Sequence, residues 1–537
     1  MSDAMESWDY IIAGAGSAGC VLADRLSESG RNRVLLLEAG PSDNHPFVHM
    51  PKASAKLFGD PRYVWHFQTQ GHDDVPPEMW IRGKMLGGSS SVNGMMYFRG
   101  QPQDYDCWEA LGAKGWGWNA MAPAFRAMER HALGGDDVRG GDGPLGISVE
   151  RERTPLSEAF IKAGEQLGLK RVDDLNRPDQ GGVVGYATRT IWKGRRQSTA
   201  QTFLKRARNR PNLRIVTGAM VDRVLFDGIR ASGVRAIVNG SPTDFHTQGE
   251  VILSAGTLMS PQILERSGIG AADRLRDLGI AVQADSPGVG EHMLEHRLMM
   301  MQFEVNVPFS HNAKLQGWRL PLNVLRYYLL RSGPMASGYG AVGAFATVLQ
   351  ESATPDIEVL YSPAVAKPDA KGVYRPDKVH SVQLFGYPLR SRSEGAIHIS
   401  SADPAAPATI RAGYLSDPYD QRVTVAMHRF LRAWMARPAI AKMVVAERET
   451  TRDLVRDEDI LAAYRARGMA GYHACSTCRM GDFADAVLDE KLRVRGVTRL
   501  RVVDGSIMPT MVSANTNGPI MASAWRAADL ILADTNA

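Results

Sequence analysis

The chain has 537 residues, 44% of them hydrophobic and 23% charged, with a formal net charge of +5. These are globular values at a length that allows two lobes, and basic and acidic residues are interspersed, which argues against a nucleic-acid partner. No apolar run reaches transmembrane length, four cysteines are too few for a disulfide framework, and Met1 to Ser7 does not read as a secretory leader, so the cytoplasm is the default expectation.

Trp8 to Ala13 reads as a buried strand. Gly14, Gly16 and Gly19 follow at once, with Ser17 and Ala18 between them, and Cys20 to Leu26 has helical periodicity. Arg33 to Leu37 is a second strand that runs into Glu38 and Ala39. This is the order of a dinucleotide-binding βαβ unit: glycines for the tight turn and close approach to pyrophosphate, a helix N-terminus presenting N–H groups, and an acid placed to accept from the adenosine ribose. The motif alone does not distinguish FAD from NAD. Arg82 to Gly94 is next, with paired Gly87 and Gly88 followed by Ser89, Ser90 and Ser91, a run of backbone donors suited to a phosphate or a polar ring edge.

Gly83-Lys84-x-Leu86-Gly87-Gly88-Ser89-Ser90 with Asn93 resembles the first signature of the glucose–methanol–choline oxidoreductases. The resemblance implies FAD as cofactor. It places Gly83, Leu86, Gly87, Gly88, Ser89, Asn93 and Gly94 along the flavin, and Gly14, Gly16, Ser17, Ala18, Gly19, Glu38 and Ala39 on the dinucleotide. Some members attach FAD through a histidine of this loop. The corresponding position here is Val92, so FAD is expected without a covalent bond.

Residues 101–150 read as helix pieces and a long surface loop. Pro155 to Gly168 and Ala200 to Ala207 read as helices. The basic cluster Lys193, Arg195, Arg196, Lys205, Arg206, Arg208 and Arg210 reads as a solvated face. Leu213 to Thr217, Ala219 to Leu225 and Val234 to Val238 are strands, and Glu250 to Gly256 returns the chain to the parallel sheet. Gly256 through Gly270 is similar to the second signature of the same family, which implies Val221 at the adenine end and Ala255 and Gly256 on the cofactor. His292-Met293-Leu294-Glu295-His296 matches a zinc-peptidase spacing, but it follows Pro287-Gly288-Val289-Gly290 too closely for a long helix, so no metal is expected. Leu315 to Arg331 is an aromatic, basic helix whose expected role is packing on its lobe, with peripheral membrane contact as the alternative. Strand-like runs at Ala344 to Leu349, Asp356 to Tyr361, Val382 to Tyr387 and Ala396 to Ser400 then suggest an antiparallel sheet, and Asp417 to Ala436 a helix.

The C-terminal stretch carries the expected chemistry. Alcohol oxidation by a flavin needs a base for the hydroxyl proton, and imidazole suits the task. His473 stands ahead of Cys475-Ser476-Thr477-Cys478-Arg479-Met480-Gly481, where the family has its catalytic histidine before a Gly-Thr-Cys-x-Met-Gly segment. Ser476 replaces that glycine. Counting from Asp504-Gly505-Ser506-Ile507-Met508-Pro509, the second catalytic position is Asn515, with Asp504, Gly505, Thr516 and Asn517 at the flavin. The two cysteines, with no second pair, read as buried thiols.

The expected fold is α/β: a Rossmann-like FAD-binding domain (1–150, 211–307 and 468–537) with an interleaved substrate domain (151–210 and 308–467) built on an antiparallel sheet covered by helices. The expected reaction is FAD-dependent oxidation of a primary alcohol or polyol to aldehyde or ketone, with hydride passing to flavin N5, His473 as base, and a quinone-type acceptor or oxygen taking the electrons. A hydroxynitrile-lyase-type enzyme that keeps FAD without net redox chemistry is the alternative.

Overall fold

The computed structural model describes residues 7–72, 74–178, 181–368 and 374–536. Residues 1–6, read above for a leader, lie outside them.

Strand β1 (Trp8–Ala13) leads into helix α1 (Ser17–Ser27) and back to β2 (Val34–Glu38). Helix α2 (Pro155–Glu165) and strand β3 (Val183–Tyr186) are then laid down apart from this unit. The chain returns through β4 (Leu213–Thr217), β5 (Ala219–Asp227), β6 (Arg230–Val238) and the long β7 (Ser241–Leu253). Next come β8 (Arg297–Val305), helix α3 (Arg319–Leu330), strands β9 (Val342–Ala346), β10 (Ile357–Ser362) and β11 (Ser381–Pro388), and helix α4 (Pro418–Met435). Strand β12 (Leu500–Val502) and helix α5 (Asn517–Asn536) close the chain.

Two sheets result. In the first, β4, β2, β1, β7 and β12 pair in that order, all parallel, and the first half of β7 turns away into an antiparallel ribbon with β6 and β5. Val34, Leu35, Leu36 and Leu37 are fully buried on consecutive positions, the continuous apolar run that a parallel strand covered on both faces requires. Each such side chain contributes about 1.5–3 kcal/mol of burial. Helix α5 lies beside α1, where Arg25 reaches across to Asp529 at 2.8 Å and stacks over Trp525.

The second sheet pairs β8, β11, β10, β9 and β3 antiparallel, in that order. Its core is an aromatic stack: Phe160 of α2 lies 4.6 Å from Trp434 of α4 and 4.5 Å from Tyr361 of β10, centroid to centroid. Gly164 makes room for it, because a Cβ there would sit 2.6 Å from Trp434. Strand β8 belongs to this sheet, although the division at residue 307 assigned it to the other lobe; its alternating buried positions face the α4 side of the sheet, and only a change of partner sheet explains them. Two further expectations are corrected. Residues 200–204 form a π-helical turn before the short α-helix Lys205–Ala207. The strand at Glu394–His398 joins neither large sheet and pairs with Thr409–Arg411 and Met293–Leu294. The helix pieces expected in residues 101–150 are Pro102–Ala110 and Trp118–Met128, and Trp108 in the first and Trp116 between the two are completely buried.

No described helix is long and apolar enough to cross a membrane.

Candidate active site

A continuous cavity runs between the two sheets, from Glu38 and Ala39 at one end, past Gly14, Gly16, Ser17 and Ala18, to His473 and Asn515 at the other. Its wall also contains Gly83, Gly88, Ser89, Asn93, Gly94, Val221, Ala255, Gly256, Asp504, Gly505, Thr516 and Asn517. Three residues expected on the cofactor do not reach the wall. Gly19 packs inward, and a Cβ there would lie 1.9 Å from the Gly14 carbonyl oxygen. Leu86 and Gly87 are one layer back, their N–H groups donating to the Pro41 and Ala15 carbonyls, so they hold the loop against the first turn rather than facing the cavity.

At the βαβ turn the backbone is pressed close. Gly14 has φ +104° and a Cβ on it would meet the Ser254 carbonyl at 2.5 Å; a Cβ on Gly88 would fall 2.7 Å from the Gly16 Cα. No acid occupies the first turn of α1, and Gly16 caps it without a side chain, so its N–H groups are open to an anion. Glu38 is buried, and its carboxylate oxygens accept from the Ala15 and Gly40 N–H groups, each at 2.9 Å. Burial pushes its carboxyl up to about 7 against those bonds. Each oxygen retains a lone pair for a hydroxyl donor.

Arg196, read in sequence as part of a solvated basic face, is 1% exposed. Its guanidinium donates to the Asn93 carbonyl and side-chain oxygens, both at 2.8 Å, and to the Val48 and Ser90 carbonyls. It pins the serine-rich loop from behind. Five donors in a planar fork can satisfy several carbonyls at once, and this makes burial of an arginine tolerable. The rest of that cluster is not uniform either: Arg210 closes on Asp24 at 2.9 Å.

His473 and Asn515 face each other, with Asn515 Nδ2 2.9 Å from His473 Nε2. Behind His473 stands His296, completely buried, with the two Nδ1 atoms 2.8 Å apart. His296 Nε2 lies 3.2 Å from the Leu389 carbonyl, which can only accept. These contacts settle the tautomers. Buried neutral His296 carries its proton on Nε2 and accepts on Nδ1; His473 therefore donates from Nδ1, and its unprotonated Nε2 faces the cavity and accepts from the Asn515 amide. Neutrality follows from burial, which lowers His296 to about 4 and takes His473 well below the ordinary histidine range, the latter helped by His296 and Arg82. The Asn515 Oδ1 atom is buried without a partner.

Glu295 organises this corner. Its Oε1 accepts from the His473 and His296 N–H groups at 2.7 and 2.9 Å, its Oε2 from Ala474 N–H at 3.0 Å, and Arg82 lies at 3.5 Å. The zinc-like spacing thus resolves into two unrelated uses. His292, at φ +57°, points to Glu394 and Asp485, while Glu295 and His296 turn inward to His473. Among the described residues no cluster of three or more His, Cys, Asp or Glu could hold a metal. Cys475 and Cys478 are buried free thiols. Sequence reasoning missed His296. In the sequence it stood only as the last residue of the His-x-x-Glu-His spacing. Tyr387, which stacks on His296 at 4.3 Å and stands edge-on to His473, left no sequence signal.

Around His473 the cavity wall is apolar and aromatic: Met96, Leu298, Tyr339, Leu360, Phe385 and Tyr387. The only carboxylates among the described wall residues are Glu38 and Asp504, and Asp504 is held by the Gly256 N–H, the Ser506 N–H and the Ser260 hydroxyl.

Residues 8–298 and 391–524 match the N- and C-terminal parts of the family described as GMC oxidoreductase. The chain is 38% identical over 535 residues to an oxygen-dependent choline dehydrogenase of Photobacterium profundum, covering 98% of this chain and 94% of that one. Among solved structures it is similar to pyridoxine 4-oxidase from Mesorbium loti (29% identity, TM-score 0.87, 97% and 99% of the two chains). It is also similar to a formate oxidase of Aspergillus oryzae (26% identity, TM-score 0.92, 99% of each). The cavity suits an FAD molecule on its own terms: a dinucleotide-length trough, a glycine turn that no Cβ could occupy, an open helix N-terminus, and unpartnered Ser254 Oγ and Asn515 Oδ1 along its wall.

Proposed function

The chain belongs to the GMC oxidoreductase family and is an FAD-dependent oxidoreductase acting on CH–OH donors, and from that premise we propose that it oxidises a neutral primary alcohol with an apolar or aryl body to the aldehyde. Bound FAD supplies the hydride acceptor, N5 of its flavin. The observation that carries the reading is the tautomer chain: Leu389 carbonyl, His296, His473, then an unprotonated Nε2 that accepts from the Asn515 amide and faces the cavity. His473 Nε2 takes the hydroxyl proton as hydride leaves the carbinol carbon. Asn515 Nδ2 donates to the same oxygen and orients it. Thr516, Asn517 and the first turn of α5, which holds no acid, present the positive end of a 20-residue helix to the cavity.

The cofactor is proposed to bind without a covalent bond, since Val92, which lines the cavity, offers no attaching atom. Gly14 to Ala18, Glu38, Ala39 and Val221 are proposed to hold its dinucleotide, and Ser89, Asn93, Gly94 and Gly505 its flavin end. The two sheets mark a cofactor lobe and a substrate lobe in this reading, with the boundary in the middle of the chain just before β8.

The apolar wall and its lack of a carboxylate beside His473 support a neutral substrate over a quaternary ammonium, whose charge would be left without a partner. No observation favours a lyase. A quinone-type compound or oxygen is the proposed acceptor, and the proposed place of work is the cytoplasmic side of the cell, in keeping with four free thiols. The test is anaerobic bleaching of the purified yellow protein with benzyl alcohol, hexanol, sorbitol and choline in parallel. Bleaching by the first two at lower concentration than by choline supports the reading; bleaching by choline or sorbitol first overturns the substrate class. Recovery on admitting air, or only on adding a quinone, then separates the acceptors.

A further inference from the structure

Helix α3 has two apolar faces, and only one of them is used. Leu320, Val324 and Tyr327 pack inward on Met50, Ala53 and Met335, and the Tyr327 hydroxyl donates to the His49 carbonyl at 3.1 Å. The opposite stripe, Trp318, Leu322, Leu325 and Leu329 at helical spacings of four, three and four, faces solvent together with Leu330. Trp318 and Leu329 are 71% exposed and Leu330 69%. Of the fifteen large hydrophobic side chains exposed among the described residues, six fall between Trp318 and Leu330. Isolated exposed leucines need no explanation, but this concentration on one helix does.

The charge around the stripe has one sign. From Val305 to Gln350 the chain contains no Asp or Glu. Arg319, Arg326 and Arg331 lie on or directly after the helix, exposed, and none has a carboxylate partner among the described residues. The turn Lys193-Gly194-Arg195 adds to them: Gly194 sits so close to Arg331 that a Cβ on it would meet the Arg331 carbonyl at 2.1 Å, which brings exposed Lys193 and Arg195 to the helix C-terminus.

We infer that α3 is a membrane-surface anchor, seating its outer stripe among the acyl chains of an anionic bilayer while the surrounding arginines meet the headgroups. An apolar ridge rimmed by unpaired cations is the pattern such helices carry. A second copy of this chain fits less well. A two-fold contact through the ridge would set Arg319, Arg326 and Arg331 against their own counterparts, with no acid on the segment to offset them. The anchor also stands next to the cavity. Nine residues beyond the end of α3, Tyr339 lines it, with Lys52 Nζ 4.7 Å over its ring and donating to the Gly338 carbonyl at 2.5 Å. The cavity mouth on this side is therefore carried toward the lipid, where apolar alcohols and quinones concentrate.

The inference stands apart from the substrate reading and is tested without turnover. The flavin-loaded protein is floated with vesicles of phosphatidylcholine alone and of phosphatidylcholine with phosphatidylglycerol. The expected result is flotation with the anionic vesicles, at least about tenfold stronger than with the neutral ones and suppressed by high salt. L329S/L330S, two side chains already in solvent, keeps its flavin absorbance and circular dichroism and stays in the bottom fraction; R326E/R331E loses flotation in the same way. Absence of flotation with either vesicle overturns the inference, as does flotation that L329S/L330S leaves unchanged. A wild-type dimer in sedimentation that L329S/L330S dissolves, with no flotation, overturns it in favour of a second copy.

Discussion

At the scale of single residues, His296 is the one whose role depends most on its neighbours. It accepts from His473 only because the Leu389 carbonyl takes its other proton. His296→Ala removes that acceptor and frees His473 to rotate and change tautomer, so flavin reduction by substrate is expected to slow about 10–100-fold with little change in KM. His473→Ala, which removes the proposed base, is expected to lose on the order of 100–10,000-fold. His296→Asn, whose side-chain oxygen can still accept, should recover part of the loss; rapid-mixing measurement of anaerobic bleaching decides, and equal rates for the Ala and Asn variants would sink the tautomer argument. Ser476 makes a different kind of case. It holds φ +75° where the family carries glycine, and its side chain makes only a weak contact to Cys475 Sγ at 3.3 Å. A β-carbon in the left-handed region is strained, so Ser476→Gly is expected to stabilise the fold by about 1 kcal/mol, read from denaturant unfolding at constant FAD.

At the scale of elements, the βαβ unit depends on Gly19, which never touches the cavity. The helix α1 can cross β1 closely only because nothing projects from Gly19 toward the Gly14 carbonyl. Gly19→Ala must push α1 outward and open the turn, so the variant is expected to purify with roughly tenfold less flavin per protein, measured as the ratio of flavin to protein absorbance. A fully yellow variant would show that the turn tolerates the shift. This unit was legible from the sequence because its signals are local: an apolar run, three glycines, a helical period and an acid, all within about 30 residues. The fate of Arg196 was not. A basic residue in a polar stretch looks solvated until a loop about 100 residues earlier is folded over it.

At the scale of the whole molecule, buried ionisable groups set the pH range of stability. His296 and His428 are lowered to about 4 from 6.5, and His473 is held well below the ordinary histidine range, all chiefly by burial. The unfolded chain therefore binds more protons than the folded one below 6.5, and stability falls as pH drops from there toward 4. Glu358 works in the opposite sense. Fully buried opposite Tyr387 in the antiparallel sheet, it is raised from 4.5 to about 8 by burial, so the folded protein retains a proton that the unfolded chain releases. Its contribution is full below 4.5 and lost as pH rises through 8. Melting temperatures of the wild type and Glu358→Gln across this range should diverge steadily from pH 4.5 to 8 in favour of the glutamine, then run parallel. Curves that stay parallel throughout would mean the carboxyl is not neutral.

The sequence by itself determined the cofactor half of this protein. Gly14, Gly88, Glu38 and the order of strands act through backbone geometry and local spacing, and a linear chain displays these directly. It also marked His473 and Asn515, through their resemblance to the two catalytic positions of the family. Only the tertiary structure decided what surrounds them. The unprotonated Nε2 of His473 follows from three contacts, to Asn515, to His296 and through His296 to Leu389, whose partners lie 42, 177 and 93 residues apart. The apolar wall on which the proposal of a neutral substrate rests is assembled from strands β8, β10 and β11 and from loops that no local period links. Proton positions and substrate shape are properties of packed neighbours, and those neighbours meet only when the antiparallel sheet closes over the nucleotide turn.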